Sequence, residues 1–256
     1  MIKFTIEGHI GKIVLNRPEK FNSFNRQMSL LLQEALHECS SNNTVRAVHL
    51  SGAGKAFSAG QDLSEAMSPD GPGIEKIVSE HYNPIILGIR LLEKPVVCAV
   101  NGVAAGAGAN IALACDIVVA GKSSAFIQAF SKIGLVPDSG GTFFLPRLIG
   151  FQRATALMML GEKILAEDAQ QMGMIYKVFD DGELEKESWK IAVTLSEMPT
   201  RGLGLTKKLL NKSMENTLEK QLKEEGKLQT EAGATNDFHE GVKAFLEKRK
   251  AVFEGQ

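Results

Sequence analysis

Cysteine is scarce in this chain: Cys39, Cys98 and Cys115 are the only three in 256 residues. They form no CxxC pair and no Cys/His spacing that would ligate zinc. A disulfide framework is thereby excluded, and Cys98 and Cys115, set in apolar runs, read as buried thiols in a reducing compartment. The five histidines (His9, His37, His49, His81, His239) are dispersed without an HExxH pair, which argues against zinc hydrolysis and a histidine nucleophile. Net charge is missing too. A formal charge of -1 leaves no electrostatic footprint for nucleic acid or for an anionic membrane. No apolar run approaches the ~20 residues of a membrane span. The opening Met1-Ile-Lys-Phe-Thr5 enters an alternating strand at once, without the regions of a signal peptide. A cytoplasmic protein is the expectation.

What the chain does have is enough apolar material for a substantial core, 44% hydrophobic residues against 23% charged. Its organising stretch runs from Val96 to Pro146. The β-branched run Val96 to Val100, bounded by Pro95 and Asn101-Gly102, reads as a buried strand. Gly106-Ala107-Gly108-Ala109-Asn110 then opens an apolar helix with almost no side chains at its first turn. Amides there lack intrahelical partners and carry the positive end of the helix dipole, so a developing negative charge can approach them closely. Further on, Asp138 sits between Pro137 and Ser139-Gly140-Gly141 at the mouth of another helix. Bare amides and an acid are what proton transfer beside a carbonyl requires. Each feature alone has a plainer reading: close packing for the glycines, and a helix N-cap for Asp138. A third segment, Ser51 to Leu63, again glycine-rich, favours the chemical reading.

In chain order, Ile2 to Glu7 and His9 to Asn16 predict a hairpin turning at Gly8. Arg26 to Cys39 predicts a helix with Met28, Leu31, Leu32, Ala35 and Leu36 as its apolar stripe. Val45 to Leu50 is a strand, Ser51 to Asp62 a loop, and Ser64 to Gly73 an unpatterned, mobile segment. Ile74 to Leu92 is a long helix stopped by Pro95. A strand follows at Asp116 to Gly121, then a short segment around Phe126, and Ile175 to Phe179 looks extended. Helices are expected at Ser139 to Leu148, Gln152 to Leu160, Ala166 to Met172, and in four further segments between Leu184 and Lys250. The layout is thus an α/β part, residues 1–180, and a helical part, residues 181–256. No period of 20–50 residues recurs clearly enough to mark a repeat protein. The tail helices carry more apolar face than they can bury among themselves, so they should cover the α/β body or a neighbouring subunit.

The runs Lys55-Ala-Phe-Ser-Ala-Gly-Gln-Asp-Leu63, Lys94-Pro-Val96, Asn101-Gly102, Gly106-Ala-Gly108 and Cys115-Asp116 resemble the enoyl-CoA hydratase/isomerase (crotonase) superfamily. So do Leu15 to Lys20 and Glu240 to Arg249, so the resemblance spans essentially the whole chain. It implies an α/β crotonase spiral of ββα units, a C-terminal helical region that builds a homotrimer or hexamer, and coenzyme A thioesters as substrates, with no permanently bound cofactor or metal. It also implies that the backbone N–H groups of Gln61 and Ala107 form an oxyanion hole. For the substrate and CoA it implies contacts at Lys20, Asn22, Phe24, Ala56, Ser58 and Ala59, with Lys248 and Phe253 reaching the nucleotide of an adjacent protomer. Gly60, Asp62, Leu63, Gly106 and Phe130 belong to the same expected contact set.

One departure from the family pattern narrows the chemistry. Family hydratases carry two glutamates, and the matching positions here are Asn110 and Phe130, neither of which can be a general base. Asp138 remains. A single carboxylate beside the substrate suits a proton shuttle between carbons, hence an acyl-CoA isomerase, with Phe130 and Phe143 as pocket walls. A hydratase-type or dehalogenase-type enzyme, and a non-catalytic acyl-CoA-binding protein of the same fold, are the other readings at this stage.

Overall fold

The computed structural model describes residues 1–256. Ten strands follow one another along the chain: β1 Ile2–Glu7, β2 Ile10–Leu15, β3 Ala47–Gly52, β4 Ala56–Ser58, β5 Val96–Val100, β6 Val103–Ala105, β7 Ile117–Gly121, β8 Ala125–Ile127, β9 Lys163–Leu165 and β10 Lys177–Phe179. They build two sheets. The larger has the order β1-β2-β3-β5-β7-β10 and the smaller β4-β6-β8-β9. Only the β1–β2 hairpin and the β8–β9 pair are antiparallel. In three successive units the first strand (β3, β5, β7) joins the large sheet and the next (β4, β6, β8) joins the small one, which winds the chain into a spiral of ββα units.

Alternation along the large sheet separates two packed faces. Val96, Cys98 and Val100 enter the main core with Leu32, Leu36 and Ile89. Val97 and Ala99 point the other way, onto the helix Leu184–Ser196. That helix belongs to the helical part after residue 180 and, as expected of those helices, covers the α/β body, here the outer face of the sheet. His49 of β3 pins it, with Nε2 2.9 Å from the Ser188 hydroxyl and the ring edge-on to Trp189 at 5.5 Å.

The helix Arg26–Ser41 starts where Asn25 accepts a hydrogen bond from Met28 N. The stretch expected as one long helix is helical from Gly73 to Leu91 but contains a wider π-helical turn, Ile77–Tyr82. The expected loop Ser51 to Asp62 contains β4, and the unpatterned segment after it opens with a short helix, Leu63–Ala66, capped by Asp62.

The C-terminal helices are Thr200–Ser213, Leu218–Gly233 and Asn236–Leu246. Two polar anchors tie them to the body. Lys207 Nζ lies 2.7 Å and Arg90 Nη1 3.1 Å from the carboxylate of Asp116. Buried Arg46 donates to Thr200 Oγ1, Met198 O and Phe253 O at 2.7–2.9 Å. The outer faces stay bare: Leu218, Leu222, Phe245 and Leu246 are 75%, 56%, 82% and 73% exposed. No helix is long and apolar enough to cross a membrane.

Candidate active site

Two glycine-bearing segments meet at one end of the small sheet. After β4 the chain runs alongside Phe24, whose N–H donates to Gly60 O (2.7 Å) while Asp62 N–H donates to Phe24 O (2.8 Å). In a parallel bridge of this kind the intervening residue, Gln61, turns its own N–H to the opposite side. After β6, Gly106 takes φ 53° and ψ -127°, a conformation closed to residues with a side chain. Its own N–H is spent on Ile127 O at 2.9 Å, and the helix Ala107–Leu113 begins with amides that have no intrahelical acceptor. The segments touch. A Cβ on Gly60 would stand 2.8 Å from Ala105 O and 3.5 Å from Ala107 N, so only glycine at residue 60 lets the two segments pack this closely.

Asp138 closes the third side. It lies in the loop before the helix Gly141–Ile149, where Ser139 and Gly140 adopt left-handed φ values of 50° and 71°. Its side chain does not cap that helix; the cap position is Gly140, so the N-cap reading of Asp138 is corrected. The carboxylate instead accepts a hydrogen bond from the Ser139 hydroxyl at 2.8 Å. Burial pushes the Asp138 pKa above the ordinary carboxylate value, and the Ser139 hydrogen bond pulls it only part of the way back.

Gly60, Gln61, Gly106, Ala107 and Asp138 share a cavity of about 420 Å³. Its apolar wall comes from Leu63, Ile74, Ile77, Phe130, Ile133 and Val136, and Asp138 is its sole carboxylate. Phe143 is not part of it. That ring packs edge-on against Phe144 at 5.2 Å with the Arg147 guanidinium 3.8 Å over it, which corrects its expected place in the pocket wall.

Two residues here went unrecognised in the sequence. Tyr82, fully buried on the π-helical turn, donates its hydroxyl to Gln61 Oε1 at 2.7 Å. Burial, with Asp138 and Glu65 nearby, pushes its phenol well above the usual range, so it stays protonated as a donor. Lys132 stands exposed on the cavity rim. Tyr82 sits in no recognisable motif, and Lys132 lies in the run leading to Asp138 without a feature that singles it out; a wider turn of helix and a 3₁₀ segment bring them in.

The remaining expected contacts divide sharply. Ala59 and Leu63 line the cavity, and Lys20 is exposed on a 3₁₀ turn. Asn22, Phe24 and Ser58 are fully buried, so their side chains support the loop rather than touch a ligand. Asn22 donates to Ala53 O and Ala56 O, both at 2.8 Å, and Ser58 Oγ donates to Asn22 O at 2.8 Å. Phe24 packs edge-on to Tyr82 at 6.0 Å. Ala56 is likewise buried and offers only backbone. Asp62 is bound to Arg17 Nη1 at 2.7 Å and caps Ser64 N. Burial raises its pKa, but the Arg17 and Ser64 hydrogen bonds outweigh it and hold the carboxyl below its ordinary value. Lys248 and Phe253 lie outside the cavity in the C-terminal segment, where Phe253 packs on Gly241.

Residues 5–256 match the enoyl-CoA hydratase/isomerase family. The chain is 46% identical to the 1,2-epoxyphenylacetyl-CoA isomerase of Escherichia coli (strain K12), over 98% of this chain and 97% of that protein. It is 36% identical to the trans-2-decenoyl-[acyl-carrier-protein] isomerase of Streptococcus mutans, covering 100% of this chain and 98% of that one. The crystal structure of an enoyl-CoA hydratase from Bacillus anthracis superposes with a TM-score of 0.93 at 32% identity, covering 100% of this chain and 99% of that one.

Proposed function

The chain belongs to the enoyl-CoA hydratase/isomerase family, and from that premise we propose that it is an acyl-CoA isomerase with Asp138 as its acid/base. The thioester oxygen sits between the N–H groups of Gln61 and Ala107. Asp138 takes a proton from the carbon α to that carbonyl, negative charge gathers on the oxygen, and the two amides stabilise it by about 3 kcal/mol each. The protonated Asp138 then returns the proton at another carbon. For a 3-enoyl thioester the proton leaves the α-carbon and returns at the γ-carbon while the double bond moves into conjugation with the carbonyl, so no water, metal or cofactor enters that balance.

The observation that carries this reading is the pairing of a single carboxyl of raised pKa with two amide-bearing segments in one apolar cavity. A base with its pKa raised toward neutrality both accepts and returns a proton readily. Hydration fits less well. Phe130 is part of the apolar wall, and Asn110 is fully buried outside the cavity lining, so no second carboxylate is available to activate water. For the acyl group, the similarity to the Escherichia coli enzyme supports the ring 1,2-epoxide of phenylacetyl-CoA, with 3-enoyl-CoA chains as the second class; a cavity of about 420 Å³ is in the range of small-molecule sites.

Two assays on the purified protein test the proposal. Conversion of a 3-enoyl-CoA to the conjugated 2-enoyl thioester, followed by absorbance, should proceed at an enzymatic rate, ~10 s⁻¹. Hydration of crotonyl-CoA should be slower by orders of magnitude. Fast hydration without isomerisation would make the protein a hydratase and defeat the proposal.

A further inference from the structure

Asn110 has no contact with the cavity, yet it is tied to the acid. It is fully buried, and its Nδ2 donates to the main-chain carbonyl of Asp138 at 2.9 Å. Its Oδ1 accepts from Gln128 Nε2, itself buried, at 2.8 Å. The second bond sets the orientation of the first: with its oxygen occupied by Gln128, the Asn110 amide can present only its NH₂ to Asp138. There is no slack in the arrangement. A Cβ on Gly141, at the start of the helix after Asp138, would stand 2.4 Å from Asn110 Nδ2. Asn110 also shares the short helix Ala107–Leu113 with the Ala107 amide. One rigid element therefore carries an oxyanion donor at its first residue and a tether to the acid three residues on.

We infer that Asn110 and Gln128 are positioning residues that hold the Asp138 carboxylate at a set distance and angle from the oxyanion donors. The inference rests on the acid/base reading of Asp138. Both residues act through the Asp138 carbonyl and neither touches substrate. A shift of about 1 Å in a reacting group costs on the order of 10²-fold in rate, and a buried amide chain cut at one link leaves its neighbours free to move.

The test compares Asn110→Leu, Gln128→Met, the double variant and Asp138→Asn. The readouts are kcat and KM for a 3-enoyl-CoA, and the affinity for a saturated acyl-CoA by calorimetry. Asn110→Leu should lower kcat by about 10-fold or more, with KM and saturated-thioester affinity within about two-fold of wild type. Gln128→Met should produce a smaller loss in the same parameter. The double variant should lose no more than Asn110→Leu, because Gln128 acts only through Asn110. A purely structural role would instead lower thermal stability while leaving kcat intact, or weaken kcat and affinity together; either result overturns the inference. So would additive losses in the double variant. Should Asn110→Leu fail to fold, Gln128→Met decides, and an unchanged kcat there overturns the inference. Asp138→Asn separates the two levels. If it keeps wild-type kcat, the acid/base reading falls and this inference with it; if it is inactive while Asn110→Leu is not impaired, only the inference falls.

Discussion

At the scale of single residues, the site is a balance between holding and exposing Asp138. The Ser139 hydroxyl offsets only part of the burial that raises the carboxyl's pKa. Ionising such a group costs folding stability. A folded-state pKa above the unfolded value gives a contribution that is full below the ordinary carboxyl range and is lost as pH rises through the folded value. Asp138→Asn, which cannot ionise, should therefore melt at a higher temperature than wild type at pH ~7, the gap narrowing as pH falls toward ~4. Thermal scans across that interval check it; a variant less stable than wild type at neutral pH would show that the charge is not penalised. The same scale explains what could be read beforehand. Asp138 is legible as an acid beside a glycine-rich helix start, whereas Gln61 and Ala107, proposed to act through backbone N–H groups that residue type does not encode, are implied only by the family resemblance. Asn22, Phe24 and Ser58 lie in equally recognisable runs, but whether a side chain faces the ligand or the loop's interior is decided by burial, which residue type does not encode.

At the scale of elements, the outer face of the large sheet is covered by the helix Leu184–Ser196, which His49 of β3 contacts. Burial, with Lys12 adding, lowers the His49 pKa from 6.5 to about 4. For a basic group depressed in the folded state, stability is present above the unfolded pKa and declines as pH falls toward the folded one. His49 should thus account for a loss on the order of 3 kcal/mol between pH 6.5 and about 4. Denaturant titrations of wild type and His49→Leu check this: the variant should show a flatter pH dependence, and parallel curves would remove His49 from the account. Elements legible in the sequence were those with a full period to show, the β1–β2 hairpin, the helix Arg26–Ser41 and β5. The strands β4, β6 and β9 have three residues each, too few for alternation to register; β8 and β10, equally short, show only as brief extended segments around Phe126 and at Ile175 to Phe179. The π-helical turn Ile77–Tyr82 carries no signature in the apolar pattern, which reads as one helix from Ile74 to Leu92. The ββα repeats, implied by the family resemblance, leave no period in the sequence: their first strands begin at residues 47, 96 and 117.

At the scale of the molecule, one chain leaves a large apolar surface unburied on its last two helices. Leu218, Leu222, Phe245 and Leu246 are all more than half exposed, and a patch of this kind is a liability for a lone soluble chain. Closed rotational symmetry is the usual way identical chains cover such faces, and a trimer or a dimer of trimers is the assembly we propose. Light scattering on the purified protein should give three or six times the 27.7 kDa chain mass; a monomer mass would refute it. Phe245→Glu should shift that mass downward, because it sets a charge in the middle of the proposed contact.

The claim on which the rest depends is that Asp138 moves the proton. The direct measurement is kcat of Asp138→Asn on a 3-enoyl-CoA, with acyl-CoA affinity taken on the same preparation. The account predicts a loss on the order of 10³-fold in kcat with affinity unchanged, because the Gln61 and Ala107 amides still hold the thioester. An Asp138→Asn enzyme that turns over near the wild-type rate would contradict it.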